Sequence, residues 1–133
     1  MVPFTFDIFN HWDIYLGLSA LVALALGTVL YEWNHQLTKS HAILVVLAFI
    51  LTTINICLII PQTIGIWGSW TSIASVDWVH LIHIVVGAVG YGAGIIAFIT
   101  GLSGNRTKLP GYITLICWGF CFIYGIVVWG VNL

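Results

Sequence analysis

The chain has 133 residues, of which 61% are hydrophobic and only 5% are charged. Because a soluble domain carries about 25% charged residues, we expect lipid, not water, to be the solvent for most of the surface. The formal net charge of −1 includes only three basic residues, which excludes a nucleic-acid-binding role based on phosphate neutralisation. The length suits a single domain, residues 1–133.

Four apolar runs are long enough to cross a bilayer, which takes about 20 residues. The predicted transmembrane helices cover residues 12–31, 41–60, 78–102 and 111–131, and Pro61 is predicted to end the second. Backbone groups in lipid must be satisfied within the segment, which requires helices. Short loops make successive helices antiparallel neighbours. The predicted fold class is therefore all-α, an integral membrane protein with four transmembrane helices in an up-down-up-down bundle.

The few charges predict an orientation. The basic residues fall in the first and third loops: Lys39, Arg106 and Lys108. Three acidic residues fall on the other side of the membrane: Asp7, Asp13 and Asp77. By the positive-inside rule, this distribution places both termini outside in a multi-pass protein of the cell membrane.

The third helix carries a stripe of histidines followed by small residues at spacings of three and four. Its members are His80, His83, Gly87, Gly90, Gly94, Ala97 and Gly101. Such a stripe lies on one helix face and lets a partner approach the backbone closely. The partner is either another helix or a flat cofactor, in which case Gly87 and Gly90 would line the slot beside the histidine ligand.

The second helix carries a polar seam that we expect to face the bundle interior, because polar groups avoid lipid. Its members are His41, Ala48, Thr52, Asn55 and Gln62.

Five histidines in so short and apolar a chain indicate ligation of haem b, which needs two axial imidazoles at one depth between helices. At the outer level, His83 is the first candidate ligand, with His11 as its partner. At the inner level, His41 with His35 forms a second candidate pair.

Two other interpretations of the histidines stay open. His80 and His83 are three apart on one face, and Asp77 precedes them by a turn, so they could bind a copper or zinc ion, completed by His11 or Asp13. Alternatively, the histidines are interfacial polar groups without a cofactor.

Three stretches resemble spans of the small four-span membrane family called domain of unknown function 420. "SHAILVVLAFILTTI" places His41 on a histidine that heads the family's second span, and "HLIHIVVGAVGYG" places His83 on one in the third. "ITLICWGFCFIYGIVVWGVNL" resembles the closing span, with Trp118, Gly125 and Val127 in matching places. Some members of that family are linked to assembly of haem-copper oxidases, so the resemblance implies a four-span fold and a role beside a respiratory complex.

The chain departs from that family at two histidine positions, where it has Pro61-Gln62 and Leu109-Pro110. A family-style site at each membrane face would use His11 and His35 in their place. The layout is also similar to cytochromes of the b561 type, four-helix haem proteins with histidines near both faces.

The sequence shows no Ser-His-Asp set at one level and no phosphate-cradling loop, which favours an electron carrier or accessory subunit over an enzyme. The leading hypothesis is a haem-b membrane redox protein. It would transfer electrons within a larger complex, with lipid and other membrane subunits or a second copy of the chain as partners. The alternatives are a cofactor-free accessory or assembly subunit of a respiratory or oxygenase complex, and a copper- or zinc-binding membrane protein.

Overall fold

The computed structural model describes residues 12–72, 76–103 and 107–129. Over these ranges the chain is helical and contains no strand: α1 Trp12–Trp33, α2 Thr38–Gly68, α3 Trp78–Leu102 and α4 Lys108–Trp129. A short 3-10 turn, His35–Leu37, joins α1 to α2. All four α-helices are long and apolar enough to cross a membrane. The predicted all-α four-helix class is confirmed.

The start of α3 is set by a side-chain cap. The Asp77 carboxylate accepts hydrogen bonds from the backbone N–H groups of Val79 (3.1 Å) and His80 (3.2 Å). These N–H groups have no partner inside the helix, and an aspartate at this position stabilises the first turn. The helix therefore begins at Trp78, where the sequence predicts it.

The prediction that Pro61 ends the second helix is wrong, because α2 continues through Pro61 to Gly68. Proline removes one backbone donor, but packed membrane helices tolerate this loss. At about 1.5 Å per residue, the 31 residues of α2 exceed a hydrocarbon core of about 30 Å. The helix therefore tilts or extends beyond the core.

The fourth helix begins at Lys108, three residues before the predicted start. Pro110 lies in its first turn, where a missing N–H breaks no helical hydrogen bond. The last predicted residues, 130 and 131, lie outside the described ranges.

The bundle consists of two helical hairpins, α1 with α2 and α3 with α4. Both seams are built mainly from small residues. Ala20, Ala23 and Ala48 are buried beside Leu24 in the first hairpin, and Gly90, Ala93, Gly94 and Thr114 in the second. Among the described residues, no large side chain is fully buried. Close backbone approach is the usual way helices associate in lipid, where no hydrophobic force drives them together.

The two hairpins meet between α1 and α4, which approach closely, and between α2 and α3, where longer side chains make the contact. The ring of Phe49 on α2 stacks on Tyr91 (5.3 Å between centroids) and on Phe98 (5.5 Å), both on α3. The hydroxyl oxygens of Thr53 and Tyr91 lie 2.9 Å apart. Thr53 already donates its proton to the Phe49 carbonyl, so Tyr91 is the donor across the interface.

The two ends of the bundle differ in their charged residues. The lysine end holds the last turn of α1 and the first turns of α2 and α4, with Lys39 and Lys108. The Asp77 end holds the first turns of α1 and α3.

Candidate functional site

The glycine stripe of α3 packs against α4 of the same chain. A Cβ placed on Gly90 would lie 2.6 Å from Cβ of Cys117 and 2.9 Å from Cδ1 of Trp118, and one on Gly87 would lie 3.6 Å from Sγ of Cys121. The space beside these glycines is therefore filled by α4. Of the two interpretations of the stripe, helix packing accounts for the contacts of Gly87 and Gly90.

His83 is half-buried near the Asp77 end. Its ring stacks on Tyr124, with centroids 6.3 Å apart and planes at 25°, and its main-chain carbonyl accepts a hydrogen bond from the Cys121 thiol at 3.4 Å. Its predicted partner His11 lies outside the described residues. Trp12, which follows His11 directly, begins α1 at this same end of the bundle.

The predicted metal site on Asp77, His80 and His83 is not supported. The Asp77 carboxylate caps α3 through the N–H groups of Val79 and His80. Within residues 12–72, 76–103 and 107–129, no group of three or more His, Cys, Asp or Glu side chains is placed to hold a metal ion.

At the lysine end, His41 and His35 share one hydrogen-bonding pattern. The Nδ1 of His41 lies 2.8 Å from the carbonyl oxygen of Gly27, and the Nδ1 of His35 lies 2.8 Å from that of Tyr31. A carbonyl oxygen only accepts, so each Nδ1 carries the proton, and in the neutral ring each Nε2 holds a lone pair. Main-chain geometry thus sets the tautomer of both rings.

The two bonds have different structural origins. Tyr31 lies in the last turn of α1, where carbonyls have no partner inside the helix, so His35 satisfies a helix end. Gly27 lies in the body of α1, and its lack of a side chain lets α2 approach: a Cβ there would lie 3.2 Å from Cβ of Leu44. The His41 bond therefore joins the two helices of the first hairpin.

The two imidazoles are brought together by Tyr31. Its ring centroid lies 4.9 Å from that of His35 and 4.9 Å from that of His41. The two histidine rings are therefore no further apart than twice this distance. Tyr31 is not among the predicted site residues, although its spacing of four from His35 suggests contact near a helix end.

A polar network at the lysine end connects the hairpins. The Tyr112 hydroxyl donates to Oε1 of Glu32 at 2.9 Å, and Nζ of Lys108 lies 3.2 Å from the same oxygen. Lys108 also lies over the Tyr112 ring, 5.8 Å from its centroid. The network joins the end of α1 to the start of α4, next to the two histidines.

The polar seam of α2 faces inward over most of its length. Ala48 is fully buried, and Nδ2 of Asn55 lies 3.5 Å from where a Cβ of Gly17 would stand, beside the Phe122 ring at 3.7 Å. Oδ1 of Asn55 is buried and has no hydrogen-bond partner among the described residues. At Gln62 the prediction is wrong, because this residue is exposed.

Comparisons of the chain with protein-family models, with curated proteins and with solved structures find no match. The resemblances to the four-span family and to the b561-type cytochromes therefore stay predictions, and the site is interpreted from its own geometry.

Proposed function

We propose that this chain is a b-type haem protein of the cell membrane that passes single electrons, as a subunit of a larger membrane complex. The observation that carries the proposal is the pair of bonds from Nδ1 of His41 and His35 to main-chain carbonyls. Metal-ligating histidines almost always donate their second N–H in this way, which orients the ring and raises the basicity of the other nitrogen. Haem, when bound, supplies reversible one-electron chemistry.

The histidine bonds support the pair at the lysine end as one proposed ligand pair, in which His41 is partly buried and His35 is exposed. His41 is held by the body of α1 and His35 by its last turn, and both rings contact Tyr31. The network of Glu32 with Lys108 and Tyr112 holds the same turn of α1 in place. His83 with His11 is the second proposed pair, at the Asp77 end.

The proposed orientation places both termini outside the cell. Lys39 and Lys108 lie at one end of the bundle, and the positive-inside rule assigns that end to the cytoplasm. The histidine pair at the lysine end would then face the cytoplasmic side of the membrane.

A cofactor-free accessory or assembly subunit is the second candidate function. It is favoured by the contacts of Gly87 and Gly90, which α4 fills, so the glycine stripe needs no cofactor to explain it. On this proposal the histidine bonds at the lysine end serve helix packing and capping alone.

Gentle purification in detergent, followed by a reduced-minus-oxidised visible spectrum and metal analysis, separates the two candidates. We expect a sharp alpha band in the wild type that is retained in Gln36→Ala, a change at an exposed neighbour of His35. A spectrum without a haem band, on a sample that holds no copper or zinc, would support the accessory subunit. The haem band could also survive substitutions at both His41 and His35 and disappear in His83→Phe. That result would assign the haem ligands to the Asp77 end.

A further inference from the structure

One face of α2 turns away from the other helices and carries an open apolar groove, which we call the α2 groove. It is lined by residues of α2 itself: Ala42, Ile43, Val46, Leu47 and Ile50. With about 3.6 residues per helical turn, this face lies opposite Ala48, which is fully buried in the seam with α1. The α2 groove therefore faces the lipid.

Lys39 lies at one end of the α2 groove. It is on the same helix face, four residues before Ile43 and eleven before Ile50. Side chains on a helix lean toward its N-terminus, so the ammonium group of Lys39 points toward the membrane surface and not into the hydrocarbon. From Lys39 to Ile50 the helix rises about 16 Å, and half of the hydrocarbon core is about 15 Å thick. This face of α2 therefore covers the depth of one leaflet, with its cation at the surface.

The charge of Lys39 is available to an anion from outside the chain. Its side chain is exposed. Of the carboxylates in the described residues, only Glu32 lies at the lysine end, and its Oε1 is 3.2 Å from Nζ of Lys108. Asp13 and Asp77 lie at the opposite end of the bundle. The lysine end therefore presents one paired lysine and one lysine whose charge the described residues do not neutralise.

We propose that this face of α2 binds one anionic phospholipid, with an acyl chain along the α2 groove and the head-group phosphate at the ammonium group of Lys39. A lysine at the membrane surface raises the affinity for anionic lipid by about five-fold. A second copy of the chain fits this face less well than a lipid does. Two copies that met here about a two-fold axis along the membrane normal would bring one Lys39 against the other, and like charges repel.

The experiment titrates the purified full chain in detergent at low salt with phosphatidylglycerol and with phosphatidylcholine of identical acyl chains, and native mass spectrometry measures the affinity for the first bound lipid. Phosphatidylcholine has the same phosphate but no net charge. We expect the wild type to bind phosphatidylglycerol about five-fold more tightly than phosphatidylcholine. Lys39→Gln should lose this preference, and Lys39→Arg should keep it.

A second pair of variants tests the groove. Ala42→Leu places a larger side chain in the α2 groove and should weaken the binding of both lipids. The matched control is Ala88→Leu on α3, because Ala88 is also an exposed alanine, and its lipid affinities should match the wild type.

Equal affinity of the wild type for the two lipids would overturn the inference, as would a preference for phosphatidylglycerol that persists in Lys39→Gln. Equal weakening by Ala42→Leu and Ala88→Leu would show that the lipid does not lie in the α2 groove. A dimer that is lost in Ala42→Leu and kept in excess phosphatidylglycerol would assign this face to a second copy and overturn the inference too. The head-group preference is measured on the wild type, so the test stands even where a variant fails to fold, and it does not depend on haem.

Discussion

The two hairpins close their seams by different means. In α3–α4 the contact is made by glycine, with Gly90 so close to Cys117 that no Cβ fits between them. In α1–α2 the contact leaves slightly more room at Gly27, and a hydrogen bond from His41 crosses it. Helices in lipid associate through close packing or through polar bonds. The α1–α2 contact therefore also holds the His41 ring that we propose as a haem ligand.

The largest expected effect is at the glycine seam. Gly90→Ala should lower the free energy of unfolding by about 2 to 3 kcal/mol, because overpacking forces the helices apart. Thermal or denaturant unfolding in detergent measures it. The matched control is Gly92→Ala on the same helix, where no atom lies within 4 Å of the new Cβ. A similar loss of stability in both variants would show that α4 does not fill the space beside Gly90.

A substitution at the α1–α2 contact should lower the free energy of unfolding by less. His41→Phe keeps a ring against Tyr31 but removes the donor to Gly27, and polar bonds between membrane helices average about 0.6 kcal/mol and reach about 1.7 kcal/mol. We expect a loss of about 1 kcal/mol in the same unfolding measurement. Thr28→Val, which removes only a bond within α1, serves as the control, and an equal loss there would contradict a special role for the His41 bond.

The contact between α2 and α3 combines ring stacking with one hydrogen bond, so it tests how much a single polar bond adds between the hairpins. Thr53→Val and Tyr91→Phe should each be mildly destabilising, with a coupling of about 0.6 kcal/mol in a double-mutant cycle. Additive effects would mean that the hydroxyl contact of Tyr91 with Thr53 does not hold the hairpins together.

The smallest effect is expected at the Glu32 network. Glu32→Gln keeps an oxygen for Tyr112 but removes the charge opposite Lys108, and an exposed ion pair adds little and is screened by salt. The difference from wild type should be small in low salt and vanish in high salt. A difference that grows with salt would contradict the ion-pair assignment.

The fold could be predicted largely from hydropathy, since four long apolar runs leave few alternatives in a membrane. Asp77 also marks the start of α3, because its cap has a sequence signature. Pro61 wrongly predicts the end of the second helix, because the loss of one backbone hydrogen bond is tolerated within a packed membrane helix. The glycine stripe shows that something approaches α3 but not what approaches it.

The site was less predictable. The hydrogen bonds of His41 and His35 are accepted by main-chain carbonyls. Every residue has such a carbonyl, so no pattern of side chains predicts these bonds. The cluster around Tyr31 depends on how α2 lies against α1, and this register is set by the close approach at Gly27 and not by the histidines themselves.

The most direct measurement is the haem content of the gently purified wild type and of His41→Phe, taken from reduced-minus-oxidised spectra of both. We predict an alpha band in the wild type and a clear loss of haem per chain in His41→Phe, while the fold survives because the ring against Tyr31 is kept. A wild type without haem, or a His41→Phe variant with the full wild-type haem content, would contradict it.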